Sequence, residues 1–282
     1  MFVRGVLLFA VLGFSSGFCN MTSQQPVWLL SHGAGPCFFM TGGQFAEIDA
    51  NSQVAADYKK LGSTLHQKPS AILVISAHHQ THGPDLEIVG DTDDQVPLFF
   101  DYYGFPPSTY QIKWPARGSK MLCDRIRKLL PEHHIQERNE RGFDHGVFIP
   151  LALVFPNAEI PTVQLSIRDT LDPEFHLALG KKLAELRNEN ILVIGSGQAT
   201  HGQGSMQQAN QFVDWLTKNV ESAPNLARAS AEAPHFKAFH TPSEHFVPWI
   251  VAAAASGKDK AQPKLLLQGW WKSLALHSWS LN

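Results

Sequence analysis

The sequence predicts an α/β fold in a single domain, and three observations carry that prediction. Short apolar, β-branched runs alternate with longer helical segments along most of the chain, as in a sheet with helices packed on it. No Gly/Ser linker, internal repeat or long charge run divides residues 27–282. Three of the apolar runs end in small residues followed by a histidine, so one layout recurs within one body. A chain of 282 residues is long for one domain, but α/β sheets reach that size undivided.

The elements follow in order. Residues 1–20 hold Arg4, an apolar run over 6–14, then Ser15, Ser16 and Gly17. A basic start, a short apolar stretch and small residues where cleavage would fall are the marks of a secretory signal. That reading implies the secretory pathway or the extracellular space. The alternative is an uncleaved apolar extension on a cytoplasmic enzyme. The run is short for a bilayer span, and no other segment is long and apolar enough for one. Strands are expected at 27–30, 71–75, 86–89, 110–114, 161–167 and 191–194, where β-branched and apolar residues run between turn signals. Helices are expected near 44–66, 119–130, 173–187, 206–221 and 244–255. For the last of these, Thr241 reads as N-cap, Pro242 as the first helical residue and Glu244 as the third, a capping box. Residues 222–240 show little periodicity and read as a surface excursion. The stretch from Leu265 onward reads as an edge strand or hairpin.

Composition narrows the function. A net charge of −2 with 17% charged residues gives no electrostatic case for nucleic acid or an anionic membrane. The three cysteines, Cys19, Cys37 and Cys123, form no CxxC pair and are too few for a disulfide scaffold. The 14 histidines stand out.

His32, His78 and His201 each follow an apolar strand and a small-residue turn, and Gly33, Gly35, Gly195, Gly197 and Gly202 lie beside two of them. Ligands gather outside the carboxyl ends of strands in open α/β sheets, so three such histidines can converge on one metal. A lone histidine after a strand is an ordinary loop residue, but a threefold repeat is not. Imidazole nitrogens suit iron, zinc, copper or nickel, so the donor type leaves the metal open. Glu244-His245 adds a fourth element. His145, in Asp144-His145-Gly146, reads as a substrate-binding or supporting group, with Asp144 either orienting an imidazole or closing a turn. His78 and His79 are strand neighbours pointing oppositely, so at most one reaches the metal. Cys37 reads as a small buried apolar residue. Phe99, Phe100, Tyr102, Tyr103 and Phe105 are candidates for an aromatic pocket wall.

These residues also resemble a known family. Ser31-His32-Gly33-Ala34-Gly35-Pro36, Ser76-Ala77-His78, Arg141 to Gly146, Gly195 to His201 and Pro242 to Pro248 resemble, in order, motifs of the class III extradiol ring-cleavage dioxygenases. Phe100-Asp101-Tyr102-Tyr103-Gly104-Phe105-Pro106-Pro107 resembles the DOPA 4,5-dioxygenase branch. The resemblance implies a central mixed β-sheet flanked by helices, with a metal site at strand carboxyl ends. It implies His32 and His78 as metal ligands, His245 as the third with Glu244 as the alternative, and His201 as a catalytic histidine that can approach the metal. His145 would act with His201, and His145, His79 and Tyr103 would meet the substrate. The cofactor would be one divalent metal, Fe(II) or Zn(II). The substrates would be a DOPA-like catechol and O2, in a monomer or homodimer. Two readings compete on the same ligands: a zinc-dependent hydrolase and a non-catalytic metal-binding protein.

Overall fold

In the computed structural model, which describes residues 24–282, ten strands and nine α-helices follow the expected alternation. The expected leader lies outside the described residues. The strands are β1 (Val27–Ser31), β2 (Ala71–Thr81), β3 (Leu86–Val89), β4 (Ile135–Glu137), β5 (Thr162–Arg168), β6 (Ile191–Gly197), β7 (Pro263–Leu267), β8 (Trp270–Trp271), β9 (Leu274–Ala275) and β10 (Ser278–Leu281). The helices are α1 (Gln53–Leu61), α2 (Lys120–Leu129), α3 (His145–Val154), α4 (Pro173–Leu183), α5 (Met206–Asn219), α6 (Ala223–Ala227), α7 (Ala229–Glu232), α8 (Phe236–Phe239) and α9 (Val247–Ala254).

Eight strands form one mixed sheet in the order β4-β3-β5-β2-β6-β1-β10-β7. The central four, β5-β2-β6-β1, run parallel. β3 is antiparallel to β5, and β10 is antiparallel to both β1 and β7. Parallel strands are covered on both faces, which is why these segments read as unbroken apolar runs. Val27 and Leu29 of β1 pack into one layer with α2, α4, α5 and α9, while Trp28 and Leu30 pack into the other with α1 and α3, as the two-residue strand period requires. With β2, β6 and β1 adjacent and parallel, their carboxyl ends lie side by side at one edge.

Several expectations need correction. The helix expected near 44–66 shrinks to α1, because Ser52 caps it by accepting from the Ala55 N–H. Residues 110–114 form no strand: a short 3-10 helix, Pro107–Gln111, occupies their start. The alternation there reflects burial of Trp114, whose indole donates to the Phe155 carbonyl at 3.0 Å. α3 was hidden because it is apolar all round and nearly all buried, so it carries no helical period. The excursion at 222–240 is three short helices that bury Leu226, Phe236 and Phe239. Finally, α9 starts at Val247, and no capping box forms at Thr241. Pro248 explains the later start: in the first turn its missing N–H costs nothing, whereas in a helix from 242 it would remove an internal hydrogen bond.

One buried histidine of this scaffold has a consequence for acid stability. His176 of α4 donates from Nδ1 to the Asp172 carbonyl at 2.7 Å and accepts the Arg168 N–H on Nε2 at 3.1 Å. Both nitrogens are committed to the neutral ring, and burial lowers its pKa from 6.5 to about 4. Between those values the unfolded chain binds a proton that the folded chain does not. His176 therefore subtracts about 3 kcal/mol of stability as pH falls from 6.5 to 4, and nothing above 6.5. Urea unfolding across that window should show a shallower pH slope for His176→Gln than for the wild type; equal slopes would refute the assignment.

Candidate metal centre and active site

The edge formed by β1, β2 and β6 brings three imidazoles together. His32 follows β1 directly, with its backbone N–H on the Gly197 carbonyl at 3.1 Å. His78 lies within β2 rather than after it. The β2–β5 register slips between Ile75 and Gln80, so the strand bulges at His78 and aims it inward. His245 precedes α9 and is held against β6, where its carbonyl accepts the Gln198 N–H at 3.0 Å. One ligand nitrogen from each of the three lies within 4.8 Å of the others.

The hydrogen bonds behind these rings decide which nitrogens face inward. Ser196 Oγ donates to the Gly146 carbonyl, so at 3.0 Å from His32 Nδ1 it must accept the ring N–H. His245 Nδ1 donates to Glu244 Oε1 at 2.8 Å. His78 Nδ1 faces Asp101 Oδ2 at 3.5 Å. The Nε2 atoms of His32 and His245 are thereby left as bare lone pairs. His32 Nε2 and His78 Nε2 face each other at 3.1 Å, close enough for both to bond one cation. Burial, followed by the charges of neighbouring histidines, holds His32 and His245 well below the ordinary histidine pKa and lowers His78 to about 4. All three are neutral at neutral pH, the form that binds metal. The donor set fits one divalent cation.

Two further histidines complete the site. His145, the first residue of α3, donates from Nδ1 to Asp101 Oδ1 at 2.8 Å, and its backbone N–H reaches the same oxygen at 2.9 Å. Burial works to raise the Asp101 pKa, but its bonds to His145 and the charges of His145 and His78 outweigh it and hold the carboxyl low. The His201 ring stacks on His245 with centroids 3.7 Å apart and planes 15° apart. Its Nδ1 is 3.9 Å from Glu244 Oε1. All five histidines line one cavity of about 520 Å³, walled by Tyr102, Phe105, Trp271 and Leu274.

A sequence profile described as the catalytic LigB subunit of aromatic ring-opening dioxygenase matches residues 26–274, a span that contains all five histidines. The chain belongs to the LigB family of extradiol ring-opening dioxygenases, on its DOPA 4,5-dioxygenase branch. A 4,5-DOPA dioxygenase extradiol of Beta vulgaris is 38% identical over 217 residues, covering 72% of this chain and 79% of its own length. One of Portulaca grandiflora is 33% identical over 254 residues, covering 83% and 90%. A crystal structure of an uncharacterized protein from Escherichia coli K12 superposes with a TM-score of 0.71 at 24% identity, over 92% of this chain and 100% of that one, which speaks to the fold.

Within this LigB-family site the expected residues divide. His32, His78, His145, His201 and His245 come together. Glu244 does not join His32 and His78; it stands behind His245 and orients it. His79 points away into the protein, where Nε2 meets Glu87 at 3.0 Å, and it is not among the residues lining the cavity. Tyr103 lines the rim and is 90% exposed. Of the expected aromatic wall, Tyr102, Tyr103 and Phe105 take part, whereas Phe99 lies under Arg141. Among the described residues Asp144 makes no hydrogen bond to an imidazole. It accepts from Ser76 at 2.7 Å and from Gln164 at 2.8 Å, and Arg141 bridges from it to the His78 carbonyl. That network braces the β2 bulge. Burial pushes the Cys37 thiol up to about 12, so it offers no thiolate. Asp101 is the site residue that sequence reading missed.

Gly197 gives the LigB-family centre a backbone dependence. A Cβ there would lie 2.0 Å from the His245 carbonyl oxygen, which cannot yield without moving His245. Gly197→Ala should therefore lose most of its bound metal while retaining the far-ultraviolet dichroism of the wild type. A full metal complement by elemental analysis would contradict this.

Proposed function

We propose that this enzyme opens the ring of a catechol carrying a DOPA-like side chain, consuming O2 and releasing a semialdehyde, at one Fe(II) held by His32, His78 and His245. The observation that carries the proposal is the set of three imidazoles, each with a ring nitrogen within 4.8 Å of the others, beside a histidine backed by a carboxylate. A divalent iron would supply Lewis acidity to the catechol oxygens and a path for electrons between ring and O2. The chain's residues do the rest. With Nδ1–H committed to Asp101, His145 presents Nε2 as a base for a catechol hydroxyl. His201, half-exposed at the cavity edge and held by burial below the ordinary histidine pKa, is placed to take up a proton and pass it on to oxygen. Tyr102, Phe105 and Trp271 sandwich the ring and exclude water, with Tyr103 at the rim. Ring cleavage is favoured over the hydrolase and non-catalytic readings by family membership and by the two protic histidines beside the donor set.

The test is oxygen uptake by protein reconstituted anaerobically with Fe(II) or Zn(II) and given L-DOPA, dopamine, catechol or protocatechuate. One O2 consumed per catechol in the iron sample alone supports the reading. No uptake with any catechol, at one metal per chain, would overturn it. Asp101→Asn should keep its iron yet lower kcat by about 100-fold or more, because the amide no longer fixes the His145 tautomer. Near-normal turnover would remove Asp101 from the proton path.

A further inference from the structure

One wall of the cavity is a hairpin with one charged residue at its tip. Trp271 pairs with Leu274, leaving Lys272-Ser273 as a two-residue turn. The turn is fixed, not loose. Thr200 Oγ1 donates to the Ser273 carbonyl at 2.7 Å and accepts the Ala275 N–H at 2.6 Å, tying it to the residue that precedes His201. The Trp271 indole donates to the Gln44 carbonyl at 2.6 Å, and its ring packs 4.7 Å from Phe45.

Among the described residues lining the cavity, Lys272 is the one lysine or arginine, and Asp101 the one carboxylate. Asp101 is committed to His145 and His78. Lys272 has no carboxylate within ion-pair distance among the described residues, and its Nζ sits 5.0 Å from the Trp271 ring centroid. Its backbone is also left-handed, with φ +52, where glycine or asparagine fits with less strain. A long cationic side chain in that conformation, exposed at the cavity rim over the Trp271 ring and without a carboxylate partner, matches an anionic group on the ligand.

We propose that Lys272 sets substituent specificity: it pairs with a carboxylate on the side chain of the catechol, so the enzyme selects anionic over cationic catechols. The inference rests on the ring-cleavage reading for the position of the catechol itself. Lys272 reads the substituent and does not touch the reacting atoms.

The test uses the iron-loaded full chain and four catechols of similar size: 3-(3,4-dihydroxyphenyl)propionate, L-DOPA, 4-ethylcatechol and dopamine. For the wild type, kcat/KM should fall in that order. Lys272→Met should lower kcat/KM for the propionate relative to 4-ethylcatechol by about tenfold, through KM. Lys272→Glu should move the preference to dopamine. Anaerobic calorimetric binding of the propionate and 4-ethylcatechol to the same proteins gives a readout independent of turnover. If binding discriminates as stated but no catechol is turned over, the subsite stands and the ring-cleavage reading fails. If Lys272→Met leaves the ratio of the two substrates unchanged, or weakens both equally, the Lys272 proposal is overturned.

Discussion

His32→Ala is expected to abolish metal retention, and His78→Ala to do the same. In the proposed ligand set each residue supplies one of three donors, and the neighbouring nitrogens lie to either side of that set, His145 beside His78 and Asp101 and His201 beside His245 and Glu244. Loss of an outer partner of a ligand already costs about 10–100-fold in affinity, so loss of a ligand should cost more. The fold should survive, because both rings stand at the cavity edge of the sheet and not in either apolar core layer. Elemental analysis after gel filtration, with a thermal melt as control, measures both. One full equivalent of metal in either variant would remove that histidine from the ligand set.

His201→Ala is expected to behave in the opposite way, keeping its metal and losing turnover by about 100- to 10,000-fold. The ring contributes no nitrogen to the three-histidine group, and its polar neighbour, Glu244, is still held by His245. What goes is a protic group at the cavity edge. Metal content near the wild type with kcat reduced by orders of magnitude supports the acid–base role, and near-normal kcat would end it. Together the two variants separate holding the metal from moving the proton.

Much of this site was legible in the sequence, for a physical reason. Strands ending at Ser31 and Gly197 show as apolar runs closed by small residues, and such runs place whatever follows them at the sheet edge. His32 and His201 could therefore be assigned to that edge before any coordinates. His78 also reaches that edge, but not by the layout read from the sequence: β2 does not stop before it, and a bulge does the aiming. No one-dimensional pattern shows a bulge. α3 escaped because burial on every side erases helical periodicity, and the start of α9 was misread because the later proline, Pro248, outweighs the earlier capping signal.

Asp101 is the most instructive omission. Its partner His145 is 44 residues away, and nothing between them announces the pairing. A signal was nevertheless present. Asp101 lies between Phe100 and Tyr102, and an acid inside an aromatic run pays a desolvation penalty unless something cationic or protic meets it. Glu244 teaches the converse. Its place as the third residue of the expected helix suggested the second half of a capping box, yet it serves as the acceptor for His245 Nδ1, and the later start of α9 leaves it free to do so.

The most direct test of the central claim is the identity of the product. The iron-loaded enzyme, given 4-ethylcatechol in air-saturated buffer, should yield a yellow ring-opened semialdehyde whose aldehyde proton is visible by nuclear magnetic resonance, and a single colourless ring-opened product should form when the aldehyde is trapped with hydrazine. A dicarboxylic acid from cleavage between the two hydroxyls, a quinone, or unchanged catechol would contradict extradiol cleavage at this three-histidine centre.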